Sequence, residues 1–281
     1  MSTTMKSIFS AISLRTALLS AFALAVAPLF SQASLLSSGV NLGYSNQTLT
    51  ERWAVFALDN GPGANVMSSG ANIWGDVAFA GTGNSNLSGY GSIRGDVVSS
   101  SSGSMARSST FAISGGILNN QNSDLMQGVA NAHTASNFAS GLTATSGYPT
   151  TINQNTSLML SGAANQTVVL QLTDFVLSDT AALTLQGTAT TTYVINVTNK
   201  FSLSGSSVVQ LSGGLTYDNV LFNVVGAGTA ATMSGSSVLN GILLATDRTA
   251  KLSGSATVYG EVIADKVSLA GVSSVQRPVS P

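Results

Sequence analysis

The chain has 281 residues, of which 44% are apolar, only 7% charged, 29 glycine and none cysteine, and its formal net charge is −1. With so few charges and no basic excess, a phosphate-binding nucleic-acid partner is excluded, and the lack of cysteine removes disulfides and thiolate metal sites. The apolar share is enough for a buried core, so low charge here does not mean disorder.

The first element is a leader. Lys6 and Arg15 give a basic start, "ALLSAFALAVAPLF" (17–30) is an apolar run, and Ser31 and Ala33 are small residues at the positions signal peptidase needs. Residues 1–33 therefore read as a secretory signal peptide, too short to span a membrane comfortably. Cleavage after Ala33 would leave a secreted or cell-surface protein without a membrane span. A leader to the domain covers 34–50, a single domain 51–275, and a short tail 276–281.

Repeats begin soon after. "ANIWGDVAFA" (71–80) and "GSIRGDVVSS" (91–100) place Gly75 and Gly95 twenty residues apart. Next comes "SDLMQGVANAHTASNFASGL" (123–142), which predicts a helix. Ser123 is a plausible N-cap, Asp124 suits the positive end of the dipole, and Leu125, Val129, Ala132, Ala139 and Leu142 share one face. A single amphipathic helix in this setting covers an apolar face of the neighbouring strands.

Beyond the helix, strand signals return in "TVVLQLTDFVL" (167–177), "TTYVINV" (191–197) and "NVLFNVV" (219–225). Apolar–Ser–Gly corners separate them at Leu160-Ser161-Gly162, Leu203-Ser204-Gly205, Met233-Ser234-Gly235 and Leu252-Ser253-Gly254, with Leu269-Ala270-Gly271 as a variant. "TMSGSSVLNGILLA" (232–245) and "KLSGSATVYGEVIA" (251–264) are nearly the same text nineteen residues apart. A coil of that length holds about three short strands with tight corners, and stacked coils pair in parallel about 4.8 Å apart. Met233, Leu252 and Leu269 would then stack inside. No coil buries its apolar face alone, which is why the text repeats. A β-sandwich of similar hairpins is the weaker alternative.

"DNVLFNVVGAG" (218–228), with 234–271 and "WAVFALDNGPGANVMSSGANIWGDVAFAG" (53–81), resembles the choice-of-anchor A family of exported bacterial proteins. The resemblance covers roughly 50–275 and implies an all-β fold: a right-handed β-solenoid, ice-binding-like, with one α-helix packed alongside. It also implies an adhesive role at a surface or in a matrix. The closing aromatic-proline stretch and the anchor of that family are missing from its pattern here.

Catalysis finds little support, so the chain reads as no enzyme. Acids are scattered, and the one suggestive pair is Asp76 and Asp96, at equivalent repeat positions. His133 is the only histidine and lies mid-helix, without the partners that a triad or a zinc site needs. Arg94-Gly95-Asp96 is explained by the repeat, since Trp74-Gly75-Asp76 occupies the same place. The sequons at Asn46, Asn86, Asn155, Asn165 and Asn196 are what chance supplies in a Ser/Thr-rich chain. No cofactor or metal is expected.

What remains is the ladder surface. Ser204, Ser234 and Ser253, with Ser236 and Ser255, would form rows of small hydroxyls one coil apart, a candidate ligand-facing ladder. The leading expectation is a non-catalytic adhesion or matrix-associated protein whose partner is a surface, polysaccharide or matrix polymer. Ice binding is the alternative, and a polysaccharide-active β-helix enzyme the second.

Overall fold

The computed structural model describes residues 53–58, 65–82, 84–100 and 104–277. The expected signal peptide (1–33) and leader (34–50) lie outside the described residues. Twenty-one parallel-paired strands and one long helix, Asn122–Ser140 (α1), make up the body.

The strands wind into a three-sided β-solenoid of nine rungs. On the first side the rungs are, in stacking order, Ile152–Gln154, 175–177, 201–203, Ala231–Met233, 250–252, 267–269, Asn65–Met67, Asn84–Leu87 and Ser104–Arg107. The second side stacks Leu158–Ser161, Ala182–Gln186, Val208–Ser212, 238–240, 257–259, Ser274–Gln276, Asn72–Trp74, Ser92–Arg94 and Ala112–Ile113. The third runs from 167–172 through 192–197, Val220–Val224, 242–245, 262–264, Trp53–Ala57, Asp76–Phe79 and Val97–Ser99 to Ile117–Leu118.

Stacking order is not chain order. The first described strand, Trp53–Ala57, inserts between 262–264 and Asp76–Phe79, so the two ends of the described chain meet in mid-stack. The expected column Met233, Leu252, Leu269 therefore continues into Met67 and Leu87. Joining two short stacks in this way removes two of their four open edges, where unpaired backbone groups would invite aggregation. The chain must then travel from one end of the stack to the other between Leu118 and Ile152. Helix α1 does most of this: 19 residues rise about 28 Å, on the order of six rung spacings.

Burial explains which runs alternate. The third side is buried within, by the core, and outside, where α1 packs on the strands at 192–197, Val220–Val224 and Val238–Leu252. Its strands therefore lack apolar–polar alternation: Trp53–Ala57 is a continuous apolar run, Val220–Val224 is apolar but for Asn223, and all their residues are buried. Leu125, Ala132, Ala135 and Ala139 are the buried row of α1. The helix begins at Asn122 behind Gln121, with no side-chain cap, so Ser123 is inside the first turn and not its N-cap.

One row interrupts the apolar cover. Gln171, Asn196 and Asn223 are register partners pointing at the last turns of α1. Asn223 Nδ2 donates to Ser136 O (3.0 Å), Asn196 Nδ2 to Ala139 O (2.8 Å), and Gln171 Nε2 to Leu142 O (2.8 Å). Carbonyls left over at a helix C-terminus need such donors when buried. Ser136 Oγ donates back to Asn223 Oδ1 at 2.7 Å.

Corner glycines hold the turns between the second and third sides. Gly241, Gly260 and Gly75 have φ of 152°, 141° and 129°. A Cβ on Gly260 would overlap the carbonyl oxygen of Gly241 one rung away, whereas one on Gly226 (φ 68°) meets nothing within 4 Å. Gly260→Ala should thus cost about 3 kcal/mol, from backbone strain plus overpacking, and Gly226→Ala about 1 kcal/mol from strain alone. Urea unfolding of the two variants separates them, and equal losses would show that packing between rungs is not what selects glycine.

Candidate functional site

Three sides offer three surfaces, and they differ in what they show to solvent. Helix α1 packs on the third, over 192–197, Val220–Val224 and Val238–Leu252. The first presents a single outward column, Asn153, Val176, Ser202, Thr232, Lys251, Ser268, Val66, Asn86 and Ala106, with Lys251 near its middle. Asp174, Lys200 and Lys266 add charge along its border with the third side. This is a mixed, charged face.

The second side is wider and almost without charge. One outward column reads Ala182, Val208, Val238, Thr257, Ser274, Asn72, Ser92 and Ala112. The other reads Met159, Thr184, Gln210, Asn240, Tyr259, Gln276, Trp74 and Arg94. Its pairings run without a register shift, so rungs repeat at about 4.8 Å and the two columns lie about 6.7 Å apart. Hydrogen bonds between rungs hold the polar side chains flat. Gln210 Nε2 donates to Thr184 Oγ1 (2.7 Å), Asn240 Nδ2 to Val209 O (2.8 Å), and the Thr257 and Ser274 hydroxyls meet at 3.0 Å. Val and Thr in the first column are stiff at χ1. The result is a rigid, regular plane of methyl, hydroxyl and amide groups.

The serines singled out from sequence form the edge of this plane. Ser234 N donates to Leu203 O (3.0 Å) and Ser253 N to Met233 O (2.9 Å). Ser236 N and Ser255 N donate to Gly205 O and Gly235 O, both at 2.7 Å. Ser204, Ser234 and Ser253, with Ser236 and Ser255 beside them, thus stack in consecutive turns between the first and second sides. They line a corner between two flat sides.

Asp76 and Asp96 also stack, and they bond to backbone. Asp76 Oδ1 accepts from Asp96 N at 2.7 Å, and Asp96 Oδ1 from Gly116 N at 2.6 Å, each carboxylate capping the next coil. His133 is half-buried on α1. The sequon at Asn196 is buried beneath the helix. Among the described residues, no three His, Asp or Glu converge as metal ligands, and no helix is long and apolar enough to cross a membrane.

Two ionic features escaped sequence reasoning. Arg248 is buried at the corner between the third and first sides and donates to backbone carbonyls of Thr198, Asn199, Val225 and Gly226. Burial lowers its pKa from the ordinary value. Glu261, also buried, lies 3.7 Å from Arg277, just past the strand Ser274–Gln276, where Arg277 N donates to Trp74 O. Beside them, burial foremost and then the Asp218 charge raise the Tyr217 pKa, against the contact with Arg277. Both clusters lie at corners of the coil.

Comparison with known proteins bears on what such a plane meets. The ice-binding-like family model matches residues 63–274. No curated protein matches the chain. Among solved structures it is similar to an ice-binding protein from the Antarctic ascomycete Antarctomyces psychrotrophicus, at 18% identity and TM-score 0.56, over 87% of this chain and 99% of that one. An ice-binding protein from an Antarctic biological consortium gives 17% identity and TM-score 0.54, over 87% and 91%. One from an Antarctic Flavobacteriaceae bacterium gives 17% and 0.56, over 87% of this chain and 48% of that one. At such identities the structures carry the fold alone. The family match overturns the leading expectation of an adhesive module on a surface, polysaccharide or matrix polymer. The Gly- and Ser-based motifs behind that expectation build the turns, and turns do not say what a face binds.

Proposed function

The chain belongs to the ice-binding-like family, and from that premise we propose that it is an exported, non-catalytic protein that binds ice. The contact is the uncharged second side, centred on Val208, Val238, Thr257 and Ser274 with Thr184, Gln210, Asn240 and Tyr259 beside them. The observation behind this choice is that it is the one uncovered side whose rungs carry no charge from Ala182 to Gln276. Ions and mobile side chains hold water in arrangements of their own, whereas a rigid plane of methyls and hydroxyls can order a water layer that merges with a crystal. Affinity then comes from many weak, equivalent contacts. Ser204, Ser234, Ser253, Ser236 and Ser255 border the plane.

Export belongs to the same proposal, because a protein that restrains ice outside a cell must first leave it, and residues 1–33 have the features of a secretion signal. So does the finer likeness to the choice-of-anchor A pattern. The solved structures of similar fold are themselves described as ice-binding proteins.

The test is the growth of a single ice crystal in a solution of the secreted protein. A gap between melting and growth temperatures, with faceted crystals, is expected. Round crystals and no gap at any concentration would refute ice binding.

A further inference from the structure

The uncharged plane does not run the full stack. In its second column Trp74 follows Gln276, and Arg94 follows Trp74, in unbroken register. The Arg94 guanidinium carbon stands 4.9 Å from the centre of the indole ring. That is about one rung spacing, so the group sits over the ring along the stacking axis. Stacked on adjacent rungs, both side chains are far larger than Asn72 and Ser92 in the column beside them, so the pair makes a ridge. Arg94 is exposed and is the one ionised side chain in either column.

Both properties oppose a flat contact. An exposed guanidinium keeps five donors hydrated in its own geometry, and a ridge two rungs long holds any plane away from its neighbours. The first column passes beside the ridge without change of character: Asn72 and Ser92 are small, and Ser92 Oγ donates to Asn72 Oδ1 at 2.8 Å. The backbone platform is therefore present under the last rungs, and there two large side chains on adjacent rungs, one of them charged, stand where a single ring, Tyr259, stands in the middle of the column.

We infer that the Trp74–Arg94 ridge bounds the ice-contact area and keeps ice affinity below what this platform can support. The inference rests on the ice-binding reading. Removing the ridge should enlarge the contact, a gain where most surface changes give a loss.

The experiment compares thermal hysteresis of the secreted wild-type protein, Arg94→Thr and Trp74→Thr/Arg94→Thr at equal concentration, with the melting temperature of each. Arg94→Thr removes an exposed side chain and should raise hysteresis. The double change should raise it further, by roughly twofold over wild type, since each added rung multiplies the weak contacts made together. If the double variant does not fold, Arg94→Thr alone decides. An active wild type with hysteresis unchanged or lowered in the folded variants would overturn the ridge and leave the ice-binding reading standing. No hysteresis in the wild type would instead remove the reading beneath it.

Discussion

Replacing Arg248 with methionine is expected to lower stability by about 4 kcal/mol, or on the order of 10 °C in melting temperature for a domain of this size. Arg248 lies where pairing of the strands Val238–Leu252 and Thr257–Leu269 slips between Ala245 and Thr249. From that corner the guanidinium reaches back to carbonyls of the two preceding coils. Nε donates to Gly226 O at 2.7 Å, while the Nη2 nitrogen reaches Thr198 O at 2.7 Å and Val225 O at 2.8 Å, and Nη1 bonds Asn199 O. Three successive coils are thereby tied through one side chain.

Two effects compete in that substitution. Methionine relieves the cost of burying a charge, a cost visible in the lowered pKa of Arg248. Yet the carbonyls of Thr198, Asn199, Val225 and Gly226 lose their charged donor, at about 1–3 kcal/mol for each that water cannot reach. The second effect wins because there are several carbonyls and one charge. Arg248→Lys should recover only part of the loss, since three donors on one nitrogen cannot match a planar fork. Thermal unfolding checks this. A melting temperature within a degree of wild type in Arg248→Met would mean that the carbonyls are satisfied some other way.

Val238→Tyr with Thr257→Tyr is expected to abolish thermal hysteresis while the melting temperature moves by no more than a few degrees. The two positions are register partners in the first column of the uncharged side, both half-buried and directed outward. Two phenol rings on adjacent rungs raise a ridge in the centre of the plane, where a flat partner cannot avoid it. The inward neighbours Leu239 and Val258 keep their places, so the core is not asked to change. The same pair of rings on the first side, as Thr232→Tyr with Ser268→Tyr, should leave hysteresis intact. Loss from the first-side pair alone would move the ice contact to that side.

Much of the architecture can be read from the chain, and the rest fails for physical reasons. Repeated corners such as Met233-Ser234-Gly235 and Leu252-Ser253-Gly254 announce stacked coils, because turn chemistry and inward residues recur at one period. The helix also shows in its spacing. Its partner surface was not read from the sequence: the polar residues within "VVLQL", "YVINV" and "VLFNVV" become the amide row Gln171, Asn196 and Asn223 only once the strands are in register. Which coils are neighbours was not legible. The pairing of Val55 with Val262 joins residues at opposite ends of the chain, and no local preference encodes it. Nor does "ATDRTAK" distinguish a buried arginine from an exposed one, since composition is the same in both.

The plane proposed for ice contact lies one step around the coil from the serines that the sequence singles out. Serines after an apolar residue and before glycine recur most visibly, and they do stack, but glycine turns make corners. The plane beside them is written in less regular residues, Val208, Val238, Thr257 and Ser274, whose likeness lies in size and lack of charge. Only the register of nine rungs brings them into one column.

Partition into growing ice tests the central claim most directly. Wild type, the Val238→Tyr/Thr257→Tyr pair and the Thr232→Tyr/Ser268→Tyr pair, each fluorescently labelled, are frozen slowly onto a cold finger from the same solution. Wild type and the first-side pair should be concentrated in the ice, and the second-side pair left in the liquid. If the Val238→Tyr/Thr257→Tyr protein enters the ice as wild type does, the uncharged side is not the surface that binds it.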